Sequence, residues 1–200
     1  MPDALLRLAR QRPIVLGSRS PRRVQLLSEL GIDFRQAISR VDESQRPGED
    51  PFAFAVRMAE DKARDVARTC RPEEIVISGD TVVVLNGIIL GKPVDRAEAI
   101  RTLMQLSGKR HTVCTALAMA AKARLLCSGE ERTEVFFNPG LLEEFESYVD
   151  SGEPMDKAGA YGIQGMGGFL VDRIEGSLDN VVGLPRTLLR SLAREALRQI

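Results

Sequence analysis

Apolar residues follow two rhythms along this chain. Short unbroken runs end at glycine or polar turns, while longer stretches carry helical spacing, and their alternation predicts an α/β fold. DALLRLARQ reads as a short amphipathic helix near residues 3–11, after which Pro13 intervenes and IVLG forms a strand. Ser20 and Pro21 suit the N-cap and first position of a helix that stops at Gly31. A loop rich in Asp, Glu, Ser and Pro (residues 39–50) leads to a long helix, PFAFAVRMAEDKARDVARTC, with Asp50 as cap. IVIS is then a buried strand, and TVVVL and IIL form a hairpin around Asn86-Gly87, a pair suited to a type I′ turn. Asp95 and Glu98 make a capping box for AEAIRTLMQLS, which Gly108 closes. Strands follow at HTVCTALAMA, ARLLCS and TEVFF, and a helix is expected from Asn138-Pro139. The tail holds a glycine-dense loop, a strand FLVDRI, and a last helix opened by Pro185.

No repeat, linker or shift in composition interrupts this order, so residues 1–200 read as a single domain. Lys+Arg and Asp+Glu balance at 28 each, which removes the global field that would hold a nucleic-acid backbone or an anionic membrane. Cys70, Cys114 and Cys127 show no CxxC spacing, and the first residues lack a signal peptide's apolar core, so the cytoplasm is the expected compartment. His111 is the single histidine. Zinc sites and Ser-His triads are disfavoured, and chemistry falls to carboxylates, lysines, arginines and a hard cation. His111 itself, at the front of a strand, reads as structural.

Four local features resist explanation by packing. In GSRSPRR, Arg22 and Arg23 stand at a helix start, where the macrodipole disfavours cations unless an anion faces them. With Ser18 and Ser20 they form either a phosphate cradle or a solvated helix end. Lys62 shares a helix face with Ala55, Ala59 and Val66, interrupting or flanking an apolar stripe. Asp80 ends a buried strand, where a carboxylate needs a cation or metal, and Lys92 lies a short way beyond in GKP. The loop DKAGAYGIQGMGG lacks the GxGxxG fingerprint at a strand-to-helix junction; its glycines suit close backbone approach to a ligand, or simple flexibility. Together these features point to a polyphosphate ligand, and the absence of GxxxxGK[ST] excludes a P-loop.

GSRSPRR, SGDTVVVLNGIILGKP, LSGKRHTVCTALAM and GEPMDKAGAYGIQGMGGFLVDRIEGSLDNVVGLP, in that order, closely resemble the Maf proteins. The resemblance implies a cytoplasmic nucleoside triphosphate pyrophosphatase with an inosine triphosphatase-like fold, a long mixed β-sheet flanked by helices, in two lobes around a central cleft. It also implies a homodimer and a divalent cofactor, Mg²⁺ or Mn²⁺. By the same resemblance the proton acceptor falls on Asp80, the phosphate-site residues on Ser18, Arg22, Arg23, Lys62 and Lys92, and the metal-holding acid on Glu43 together with Asp80. Specificity positions fall on Arg22, Thr81 and Gln164, a set that matches the dTTP/UTP branch rather than the Trp, Gln and Glu of a 7-methyl-GTP branch. The expected reaction releases a monophosphate and pyrophosphate. The alternative is a nucleotide-binding regulator of septum formation without turnover, which would have no evident need of Asp80 beside an anionic ligand.

Overall fold

In a computed structural model of the chain, residues 3–200 are described. The strands are β1 (Ile14–Gly17), β2 (Phe34–Gln36), β3 (Ile75–Leu85), β4 (Ile88–Leu90), β5 (Arg110–Ala121), β6 (Arg124–Phe137) and β7 (Val171–Glu175). The helices are α1 (Ala4–Gln11), α2 (Pro21–Glu29), α3 (Pro51–Ala67), α4 (Arg96–Leu106), α5 (Leu142–Asp150), α6 (Leu178–Val182) and α7 (Arg186–Ala196). The strands form one mixed sheet in the order β2-β1-β3-β5-β6-β7, with β4 beside β3. β1 pairs in parallel with both β2 and β3, whereas β3 with β4 and β6 with β7 are antiparallel. All four residues of β1 are buried, as expected of a parallel strand with neighbours on both sides.

The chain divides into two compact units, and long strands contribute to both. The first holds the chain up to Asp80, Thr115–Glu131 and Gly183–Ile200; the second holds Thr81–Cys114 and Arg132–Val182. In the first, α3 packs on β1, and its Ala55, Ala59 and Ala63 are fully buried. Arg190 Nε donates to Asp3 Oδ2 at 2.7 Å, tying α7 to the cap of α1.

Local signals are met where short-range chemistry decides. Ser20, Asp50 and Asp95 accept backbone N–H bonds as the caps of α2, α3 and α4. Asn86 and Gly87 take φ of 50° and 78°, as a type I′ turn requires. Other expectations are corrected. IVIS and TVVVL are one strand, β3, so Asp80 stands mid-strand rather than at a strand end. Gly79 does not stop that strand: a Cβ there would lie 2.8 Å from Ala116 O and from Leu117 Cδ2, so glycine admits close approach of β5. ARLLCS and TEVFF likewise merge into β6 through Gly129, where a Cβ would come within 3.0 Å of Leu188 Cδ1.

The helix expected from Asn138 begins at Leu142 instead. Asn138 N donates to Leu170 O at 2.8 Å and its carbonyl accepts from Gly108 N at 3.2 Å, so this backbone is already paired outside a helix. The glycine-dense segment contains 3₁₀ turns at Glu153–Asp156, Ala158–Ala160 and Met166–Leu170, so the following strand starts at Val171. α6 is not foreshadowed by the sequence pattern, and α3 ends at Ala67 rather than running to Cys70.

The second unit has its own core, including Leu103, Phe137, Phe145, Tyr148, Tyr161 and Leu170. His111 lies in this unit, 2% exposed, with its ring edge-on to Phe137 and Tyr161 and its Nε2 paired with the Tyr161 hydroxyl at 2.8 Å. Nδ1 is buried without a hydrogen-bond partner. Burial pushes this imidazole down to about 4 from its ordinary 6.5, so the folded chain holds it neutral. The unfolded chain takes up that proton as pH falls below about 6.5, whereas the folded chain resists until about pH 4. Stability is therefore complete above that range and declines through it, by up to about 3 kcal/mol from this group. Urea midpoints of the wild type and His111→Phe, measured from pH 7 to 4, should show the smaller loss in the variant; equal losses would remove His111 as a cause.

Candidate active site

α3 begins where Asp50 Oδ1 accepts from Phe52 N and Ala53 N and where Pro51 presets the first turn. Two to four turns later its buried stripe reads Met58, Ala59, Lys62, Ala63 and Val66. Lys62 therefore belongs to the buried face, 9% exposed, rather than to its margin. A buried ammonium needs compensation. Its Nζ donates to Glu43 Oε2 at 2.6 Å and to Asp80 Oδ1 at 2.8 Å. The side chains of Asp80 and Lys62 are 15% and 11% exposed, while Glu43 is 60% exposed, so the bridge opens to solvent on the Glu43 side.

The loop carrying Glu43 is strapped to α3 by residues that no sequence motif singles out. Arg57 Nη2 donates to Ser44 O at 3.0 Å and to Glu49 Oε2 at 2.7 Å, and Arg40 N donates to Asp65 Oδ2 at 2.9 Å. The hydrogen bond from Arg57 leads the causes that hold the Glu49 carboxyl at about 2, so this strap stays charged at neutral pH. Its sequence signal is faint: an arginine one turn and a half before Lys62, and a glutamate just ahead of the cap.

Arg23 answers why cations stand at the start of α2. It is 8% exposed, and its Nε donates to Gly183 O at 2.8 Å while Nη1 donates to Gly79 O at 2.9 Å and Ser18 Oγ at 3.3 Å. The guanidinium thus joins the ends of β1 and α2 to the residue before Asp80. Burial lowers its pKa most strongly and the neighbouring charge of Arg22 adds to this, whereas Asp80 and Glu43 oppose it. Ser18, also buried, accepts from Ser20 N at 3.1 Å, and its carbonyl accepts from Gln36 Nε2 at 3.2 Å. Arg22 lies half-buried in the first turn of α2.

Six of the nine residues singled out from the sequence thus fall in the first unit: Ser18, Arg22, Arg23, Glu43, Lys62 and Asp80. Glu43, Lys62 and Asp80 form one bridge, and Ser18 and Arg23 form a second network that reaches Gly79. Thr81, Lys92 and Gln164 belong to the second unit. Thr81 follows Asp80 on β3 and is half-buried; Lys92 and Gln164 are exposed.

Two carboxylates and an ammonium leave one net negative charge at the bridge, and the Glu43 and Asp80 oxygens converge on Lys62 Nζ. Among the described residues no group of three or more His, Cys, Asp or Glu gathers as a metal cage. A pair of carboxylates fits Mg²⁺ or Mn²⁺ that arrives with phosphate and water ligands, since Mg²⁺ is typically held by one or two carboxylates plus substrate phosphates. No helix among the described residues is long and apolar enough to cross a membrane.

Comparison with known proteins widens this local picture. A protein of Geobacter metallireducens named dTTP/UTP pyrophosphatase is 51% identical over 86% of this chain and 90% of its own. One of the same name from Neisseria meningitidis serogroup B is 46% identical over 86% and 88%. Among solved structures, the Staphylococcus aureus Ham1 protein covers 94% of this chain and 100% of its own with a TM-score of 0.54 at 14% identity, a likeness of fold alone. It agrees with the mixed sheet flanked by helices expected from the sequence. The Maf-like protein family matches residues 13–196, from the residue before β1 to the end of α7, and the chain belongs to that family.

Proposed function

We propose that this protein hydrolyses dTTP and UTP to the monophosphate and pyrophosphate. The observation that carries the chemistry is the Lys62 ammonium held between Glu43 and Asp80, because it fixes a carboxylate of low exposure beside a cation in the unit that also holds Ser18, Arg22 and Arg23. The pyrimidine assignment rests on the relatives named dTTP/UTP pyrophosphatase.

In this reading Asp80 accepts a proton from the attacking water, whose oxygen bonds to phosphorus as the α–β phosphoanhydride breaks and pyrophosphate leaves. Lys62 orients Asp80 through the 2.8 Å bond and keeps its oxygen aimed. Ser18, Arg22, Arg23, Lys62 and Lys92 meet the phosphates, and Glu43 with Asp80 would hold a divalent ion. Such an ion, when bound, offsets charge developing on the phosphoryl oxygens. Arg23 in addition braces the strand through Gly79 O. Thr81 and Gln164 recognise the base: a Gln amide offers both a donor and an acceptor to the N3–H and O4 shared by thymine and uracil. A homodimer working in the cytoplasm completes the proposal.

Pyrophosphate release with dTTP, UTP, CTP and 7-methyl-GTP under one Mg²⁺ condition tests the reading. CTP reverses the donor and acceptor pattern at N3 and N4, so its kcat/KM should fall below that of UTP by the equivalent of about 1–3 kcal/mol. Dominant turnover of 7-methyl-GTP would overturn the substrate assignment, and no pyrophosphate from any nucleotide would overturn the activity.

A further inference from the structure

Gln164 sits in a turn whose two sides are held by the same pair of side chains. The Tyr148 hydroxyl accepts from Gly162 N at 3.1 Å and donates to Glu153 Oε1 at 2.9 Å. Glu153 in turn accepts from Gly167 N through Oε1 at 3.2 Å and from Met166 N through Oε2 at 3.0 Å. The turn is therefore anchored two residues before Gln164 and two and three residues after it. Gln164 itself is exposed.

The anchor is built into the core of its unit. Tyr148 is 2% exposed in the core of the second unit, with its ring edge-on to Phe169. Lys157 Nζ donates to the Glu153 carbonyl and to Asp156 Oδ1, closing the preceding 3₁₀ turn. A Cβ on Gly167 would fall 2.5 Å from the Tyr148 hydroxyl oxygen. Gly165 has φ of 105°, and a Cβ there would fall 2.9 Å from Glu153 Oε2. These glycines let the backbone close on the Tyr148–Glu153 pair. The hydrogen bonds from Met166 N, Tyr148 and Gly167 N outweigh burial and hold the Glu153 carboxyl below its ordinary range, so the acceptor is charged.

We propose that Tyr148 and Glu153 are positioning residues that set discrimination between uracil-type and cytosine bases by fixing the turn that presents Gln164. The inference rests on the assignment of Gln164 to base recognition. An amide discriminates between the two bases only if its approach to the base is fixed, and the anchored backbone fixes the point from which the Gln164 side chain reaches it. Tyr148→Phe releases Gly162 N and takes one donor from Glu153. Glu153→Gln must leave Met166 N, or Tyr148 and Gly167 N, facing an NH₂ group.

The test is kcat/KM with UTP and CTP for the wild type, Tyr148→Phe, Glu153→Gln, Gln164→Ala and the Tyr148→Phe/Gln164→Ala double variant, with melting temperature alongside. Each anchor variant should lower the UTP/CTP ratio roughly fivefold to tenfold, through loss with UTP, as expected for one hydrogen bond misplaced. Added to Gln164→Ala, Tyr148→Phe should change the ratio no further. Equal losses with both nucleotides, or a lower melting temperature with the ratio intact, would show a merely structural role and overturn the proposal while leaving Gln164 in place. A Gln164→Ala variant that keeps the wild-type ratio would instead overturn the assignment of Gln164, and the proposal with it. Should Tyr148→Phe fail to fold, Glu153→Gln decides by the same ratio.

Discussion

Asp80→Asn should lower kcat for UTP by roughly a thousandfold while leaving the fold nearly unchanged, the order expected when a positioned general base is lost. The amide has the carboxylate's shape, and its oxygen can still accept the bond that Lys62 Nζ now makes to Oδ1 at 2.8 Å. Lys62 also keeps Glu43 at 2.6 Å, so the bridge loses one charge but not its geometry. A neutral amide cannot take the proton of the attacking water. Pyrophosphate release under saturating UTP and Mg²⁺, with thermal unfolding of the same sample, measures both halves. A variant with near-normal kcat would remove Asp80 from the proton-accepting role.

The second large effect is on stability. Arg23→Met should destabilise the protein by roughly 3–5 kcal/mol, because the long apolar stem is retained while the guanidinium's bonds to Gly183 O, Gly79 O and Ser18 Oγ all vanish inside the protein. Asp80 and Glu43 lose a neighbouring positive charge as well. Arg23→Lys should rescue little, since a single ammonium does not reproduce the planar fork that reaches two carbonyls and a hydroxyl. Urea unfolding of the three proteins checks this. If stability stays within about 0.5 kcal/mol of wild type and only KM rises, the buried clamp is not what Arg23 contributes.

The two variants separate two kinds of residue that look alike in the sequence. Asp80 and Arg23 are both charges beside an apolar strand, and both are candidates for the same phosphate chemistry. The structure gives Arg23 a bracing role beside that candidacy, through partners as distant as Gly183. It likewise places Lys62 inside a buried stripe with two carboxylates upon it, where helical spacing alone leaves open whether it interrupts or flanks that stripe.

Features that depend on near neighbours are legible from the residues alone. A cap at Asp50 followed by Pro51, the Asn86-Gly87 turn and the Asp95 cap are settled within a few residues, since each satisfies a local backbone group or a local φ. The long motifs also carried the family and the candidate residues. Tertiary structure alone decided whether Gly79 and Gly129 break strands or admit a neighbour, because that depends on Ala116 and Leu117 in one case and Leu188 in the other. It alone kept Asn138 out of a helix, by pairing it with Leu170 and Gly108. It alone joined Glu43, Lys62 and Asp80, and tied Gly162, Met166 and Gly167 to Tyr148 and Glu153. The physical reason is common to all of these: burial makes a polar group seek a partner, but which partner is within reach is set only when the chain has closed.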